Sequence, residues 1–186
     1  MATPGPIVLE MLESREAPEI EAGARVLIKP NFLAPAPPEM ALTTHPLIVK
    51  ATAEFALSKG ARVQISDSPA MGSFSRLLKK GGYEEALKGI DVTVKPFAET
   101  TAVDVGEPFG SIDVAQDAMQ ADVVINLAKL KTHTQMMLTL GVKNLFGCIV
   151  GLKKPEWHMR TGVDRQMFGR LIVSIFEAVG PAYTIM

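Results

Sequence analysis

Three short runs, Arg25-Val26-Leu27-Ile28, Ala61-Arg62-Val63-Gln64-Ile65 and Asp122-Val123-Val124-Ile125-Asn126-Leu127, are rich in apolar β-branched residues, and each leads into a polar cluster. Runs of this length and composition read as buried strands. The stretch after the first carries helical spacing. Thr43-Thr44-His45-Pro46 offers a hydroxyl cap and a proline for the first turn, and Ile48, Ala51, Thr52 and Phe55 then share a face until Lys59-Gly60. Strands alternating with helices build βαβ units, so the expected fold is α/β, a mostly parallel sheet flanked by helices. A chain of 186 residues is expected to form a single domain over residues 1–186.

The remaining segments extend this pattern. Residues 7–9 read as a first strand and residues 10–21 as a surface helix or loop. The strand at Arg25 is expected to stop at Lys29-Pro30-Asn31, because proline lacks a ladder donor, and a proline-rich loop follows over 34–38. Residues 73–80 and 83–88 read as two short helices broken by Gly81-Gly82, residues 91–97 as a strand, and residues 112–120 as a helix. A helix over 134–146 would place Gln135, Thr139 and Lys143 on one face. Residues 151–161 read as a loop, and residues 164–179 as an apolar helix ended by Gly180-Pro181. Residues 182–186 resemble the start of a further strand. The chain is therefore expected to be an incomplete fragment of a larger domain whose C-terminal part is missing.

Composition excludes several classes. Hydrophobic residues make up 47% and charged residues 21%, far from the profile of a disordered chain. No apolar run approaches the roughly 20 residues that cross a bilayer, and Met1 to Pro6 lack a basic start before an apolar core, so a cytoplasmic location is expected with no membrane partner. The single cysteine, Cys148, forms no internal disulfide and cannot alone hold zinc or an iron–sulfur cluster; it reads as a small buried residue. His45, His133 and His158 lie far apart, with no His-x-x-x-His or Cys-x-x-Cys pair, so no metal site is predicted. Phosphate-loop, Gly-x-Gly-x-x-Gly and Gly-x-Ser-x-Gly patterns are absent. With 6% aromatic residues and a net charge of −1, nucleic-acid binding is disfavoured.

The near-zero net charge hides an asymmetry. Residues 1–126 carry 11 Lys/Arg against 17 Asp/Glu, whereas residues 127–170 carry 8 against 2. A local cationic surplus favours an anionic ligand. In open parallel sheets, ligands bind outside the carboxyl ends of the strands, and the polar clusters fall there: Lys29 and Asn31 after the first strand, Asp67 and Ser68 after the second, Asn126, Lys129, Lys131, Thr132 and His133 after the third. An extended 129–133 segment would turn Lys129, Lys131 and His133 to one face. Lys143 and Asn144 follow, and Trp157 and His158 could form a lid. Histidine titrates near neutrality, so His133, with Asp67 as the alternative, is the candidate proton-transfer residue. The other named residues are candidate ligand-binding groups.

Four motifs in order, Val26-Leu27-Ile28-Lys29-Pro30-Asn31, Ile65-Ser66-Asp67-Ser68-Pro69, Lys129-Leu130-Lys131-Thr132-His133 and Gly141-Val142-Lys143-Asn144-Leu145-Phe146-Gly147, resemble domain-of-unknown-function family 362, and Lys154-Pro155-Glu156-Trp157-His158 resembles the segment that follows in it. The resemblance implies a prokaryotic cytoplasmic protein, often joined to a ferredoxin-type iron–sulfur module. It supplies no activity, and any cluster would lie on a missing segment or a partner. Two functions are expected to compete. One is an enzyme-like module binding a phosphate- or carboxylate-bearing small molecule, with redox coupling to an iron–sulfur partner; the other is a non-catalytic docking protein for a ferredoxin-like partner. The sequence leaves open whether any substrate is turned over.

Overall fold

The computed structural model describes residues 4–14, 19–133, 136–161 and 164–186. In chain order these form α1 (Pro4–Leu12), β1 (Arg25–Pro30), α2 (Pro46–Ser58), β2 (Arg62–Ile65), α3 (Phe74–Lys80), α4 (Tyr83–Ala86), β3 (Thr93–Val94), β4 (Thr100–Asp104), β5 (Ser111–Ala115), α5 (Gln116–Gln120) and β6 (Val123–Leu127). Then come β7 (Lys131–His133), β8 (Met137–Thr139), α6 (Gly141–Asn144), a 3-10 turn (Leu145–Cys148), α7 (Lys153–Thr161), α8 (Arg165–Val179) and β9 (Tyr183–Ile185).

The central sheet has the order β3-β2-β1-β6-β9, and every adjacent pair is parallel. The three apolar runs are thus parallel neighbours, as the alternating pattern predicts. Side-chain alternation divides each strand between two faces. Val26, Ile28, Ile125 and Leu127 pack with Val49 and Phe55 of α2, while Leu27 and Val124 pack with Phe168, Leu171 and Ile175 of α8. Connections leaving β1 and β6 therefore cover opposite faces and run in opposite directions, which makes the gap between these two strands the topological switch point. Lys29 lies beside Asn126 in the register there, and both belong to the face of Leu27 and Val124.

Several segments depart from the sequence reading. Residues 7–9 belong to α1, because Val8 and Leu12, four apart, bury one helical stripe in the core that α1 shares with α2. β1 runs on to Pro30, since a proline at the last position costs the ladder only a terminal bond. The cap of α2 is His45, whose Nδ1 accepts from Leu47 N at 3.2 Å. The Thr44 hydroxyl is engaged elsewhere, accepting from Asn31 N at 2.8 Å and donating to Leu127 O at 2.7 Å, so it ties the ends of β1 and β6 together.

Of residues 112–120, the first part is β5, paired antiparallel with β4, and only the rest is α5. The 91–97 strand contracts to β3. The helix expected over 134–146 is replaced by the antiparallel pair β7–β8 followed by α6 and the 3-10 turn; Gln135 lies outside the described residues. Residues 153–161 are helical instead of a loop. Pro155 occupies the first turn of α7, where a missing N–H costs nothing. α8 matches its prediction, with Asp164 accepting from Gln166 N and Met167 N and Gly180 left-handed at φ 56° beyond its end. Among the described residues no helix is long and apolar enough to cross a membrane.

Candidate functional site

A pocket of about 360 Å³ opens at the switch point, within the range of roughly 300–1,000 Å³ typical of small-molecule sites. Its floor is the buried pair of Lys29 and Asp67. Lys29, wholly buried at the end of β1, forms an ion pair with Asp67 Oδ1 at 2.9 Å and donates from Nζ to the Pro30 carbonyl at 2.8 Å. Asp67 also accepts from Phe32 N and Ser68 N, each at 2.8 Å. Two backbone N–H groups and the Lys29 ammonium thus engage its two oxygens and hold the carboxylate in place. Gly147 covers the pair, and a Cβ there would lie 2.6 Å from Lys29 Nζ.

One wall is a chain of side-chain amides. Lys131 Nζ donates to Asn31 Oδ1 at 2.6 Å and to the Leu42 carbonyl at 3.3 Å, and Asn31 Nδ2 donates to Asn144 Oδ1 at 2.8 Å. Asn144 Nδ2 donates to Asn126 Oδ1 at 2.8 Å, and Asn126 Nδ2 donates to Gly141 O at 3.0 Å and Thr184 Oγ1 at 3.1 Å. Every donor in the chain points away from Lys131, an order in which successive bonds polarise one another.

β7 brings Lys131 and His133 to the pocket because residues two apart share a face; Thr132 between them is exposed on the other side. His133 Nδ1 accepts from Met136 N at 3.2 Å. In the neutral ring this bond places the proton on Nε2. Opposite, Lys154 and His158 of α7 are one helical turn apart and both line the pocket. The Lys154 ammonium donates to the Ser68 carbonyl, and Gly151 N donates to Ser68 Oγ at 3.4 Å. Lys143 completes the ring, with Nζ 5.5 Å from the Phe146 ring centre and 5.6 Å from that of Phe168.

Electrostatics distinguish this pocket. Among the described residues, four lysines line it and Asp67 is the single carboxylate. Burial, and then the charges of Lys131 and Lys154, pull the Lys143 ammonium down to about 8. Lys154 is drawn to about 8 by burial and Lys29, against the opposing pull of Asp67. Lys131 also falls to about 8, through burial and the charges of Lys29 and Lys129, again against Asp67. Burial and Lys143 hold both His133 and His158 below the usual histidine value. The site thus combines excess positive charge with imidazoles that are neutral at physiological pH.

Of the residues singled out from sequence, Lys29, Asn31, Asp67, Ser68, Lys131, His133, Lys143, Asn144 and His158 line this one pocket. Four others do not. Asn126 is wholly buried behind the wall, where it supports Asn144. Lys129 precedes the strand, so the alternation that aims Lys131 inward does not include it. Thr132 faces outward. Trp157 is 5% exposed in the α8-side core, edge-on to Phe109 with the Arg160 guanidinium over its ring, and forms no lid. Sequence reading missed Lys154, Thr139, Phe146 and Gly147. Lys154 was detectable, since Lys154 and His158 share a face once residues 153–161 are allowed to be helical.

No group of three or more His, Cys, Asp or Glu that could hold a metal ion occurs among the described residues. Cys148 is wholly buried, its thiol pushed up to about 12 by burial, and does not fit a cluster ligand.

A family profile described as a domain of unknown function (DUF362) matches residues 26–186. The chain belongs to this family. It is 38% identical over 167 residues to a thylakoid-associated protein of Synechocystis sp., covering 90% of this chain and 52% of that protein. The chain thus spans about half the length of this curated relative. The lactate racemase apoprotein from Thermoanaerobacterium thermosaccharolyticum superposes with a TM-score of 0.61 at 13% identity, covering 96% of this chain and 47% of the racemase. That likeness supports the DUF362 fold as an α/β architecture and nothing further.

Proposed function

We propose that the switch-point pocket binds a small anionic molecule bearing a phosphate or carboxylate, as an enzyme-like module. The observation that carries this reading is the cluster of Lys131, Lys143 and Lys154, each brought down to about 8, around a pocket whose only carboxylate among the described residues is already paired with Lys29. Lysines held this close raise one another's free energy. An anion touching two of them would relieve that penalty and add charge-assisted hydrogen bonds.

Asn31 and Asn144 would orient the ligand, His133 would offer its Nε2–H, and His158 would accept or return a proton. The racemase is named for lactate, a small carboxylate, which is compatible with this charge pattern. Redox coupling to an iron–sulfur partner would have to come from outside this chain. The docking alternative loses weight, because three lysines of the cationic 127–170 segment line a pocket and are drawn away from any partner surface. A cytoplasmic address remains part of the proposal and is checked by cell fractionation.

Calorimetric titration with inorganic phosphate and with acetate tests the reading. Replacing Lys131 or Lys143 by alanine should weaken the bound anion by about 1.5–3 kcal/mol, roughly ten- to a hundredfold, while the fold survives. Unchanged affinity in both variants would sink the proposal.

A further inference from the structure

Among the pocket lysines, Lys143 differs in what its nitrogen touches. Lys29 is paired with Asp67, Lys131 donates to Asn31 and Leu42, and Lys154 donates to the Ser68 carbonyl. Lys143 makes neither a hydrogen bond nor an ion pair with any described residue; its Nζ instead lies beside two rings, 5.5 Å from the Phe146 centre and 5.6 Å from that of Phe168. Losing a proton therefore weakens no hydrogen bond at Lys143, whereas at the other three it would remove the charge that assists their bonds. Burial, and then the cationic neighbours Lys131 and Lys154, disfavour the ammonium form, the arrangement that activates amine nucleophiles. The two rings would still favour a cation on this nitrogen once it is attached to carbon.

We propose that Lys143 is an amine nucleophile that forms a Schiff base with an aldehyde or ketone carrying a carboxylate or phosphate. This deepens, and rests on, the anion-site reading, since Lys131 and Lys154 would hold the anionic group while Lys143 meets the carbonyl carbon. The neutral Nζ lone pair forms the C–N bond, and the carbonyl electron pair moves to oxygen. Two protons originally on the ammonium leave with that oxygen as water. The balance is ammonium plus carbonyl to iminium plus water, with charge conserved and no oxidant or reductant needed.

The test treats the protein at pH 7.5 with glyoxylate and cyanoborohydride, which reduces an imine to a stable secondary amine, and maps the label by peptide mass spectrometry. A parallel calorimetric titration measures inorganic phosphate. Labelling should fall on Lys143 on the order of tenfold or more faster than on any exposed lysine, because far more of this amine is neutral. Phosphate should suppress the label, neutral propanal should label Lys143 much less, and Lys143→Arg should lose the label. The mapping needs no variant, so it stands even if Lys143→Arg fails to fold. Phosphate binding together with a label spread over surface lysines, or retained in Lys143→Arg, overturns the Schiff-base assignment alone. Failure of phosphate to bind overturns the anion-site reading on which the assignment depends.

Discussion

A methyl group added at Gly147 would lie 2.6 Å from Lys29 Nζ and 2.7 Å from Lys29 Cε, inside van der Waals contact with a buried ion pair. The lysine end has no room to retreat, being wholly buried and bonded to the Pro30 carbonyl. Gly147→Ala is therefore expected to cost about 1–3 kcal/mol in urea denaturation, the usual range for overpacking a filled site, and to weaken phosphate binding. Wild-type stability in this variant would show that the pair can move aside. The sequence did not single out Gly147 as a site residue, because nothing local marks it and its role comes from residues more than 70 positions away. Lys29 was legible for the opposite reason, since a lysine directly after an apolar strand is a poor turn-former. Trp157 was misassigned because residue type alone does not separate an indole covering a ligand from one filling a core.

At the scale of elements, strands were easier to read than what connects them. Val26 to Ile28, Val63 to Ile65 and Val123 to Leu127 form strands buried on both sides, and such strands are apolar along their length. The β7–β8 pair reads as a helix in sequence because Met137, Leu138, Gly141 and Leu145 also fit one helical face. In the fold Met137, Leu138 and Leu140 are exposed, so no core rewards a helix there and cross-strand pairing decides the conformation. α7 was hidden by Pro155, which reads as a breaker unless its first-turn position is known. This helix is fastened to the pocket rim by Lys154 on the Ser68 carbonyl. Lys154→Met should loosen α7, giving faster amide exchange over residues 153–161 while β6 keeps its protection. Unaltered exchange in α7 would mean that core packing of Trp157 holds the helix by itself.

For the whole molecule, the pocket lysines make stability depend on pH. Lys131, Lys143 and Lys154 fall from 10.5 in the free side chain to about 8 in the fold. Between these values the unfolded chain binds more protons than the folded one, so the stability of the unliganded protein should rise with pH from about 8 toward 10.5. Below about 8 the full cost of the charged cluster is present. Anion affinity should run the other way, falling as pH passes 8, since binding requires the ammonium forms. Sulfate, which keeps its charge throughout this range, is the suitable probe. Thermal melts from pH 7 to 10 with and without sulfate should converge at the alkaline end; curves that stay parallel would exclude lysine titration as the cause.

The switch point gathers the site from four separate stretches: the end of β1, the loop after β2, the β7-to-α6 segment and α7. An unfolded chain holds nothing resembling it, so whatever occupies the pocket selects the native state alone. Occupancy then acts as a thermodynamic latch on the chain, adding about 2.7 kcal/mol to its stability at a ligand concentration one hundred times the dissociation constant. A cell rich in the ligand would keep more of this protein intact than one depleted of it, and abundance of the protein would report the level of the metabolite.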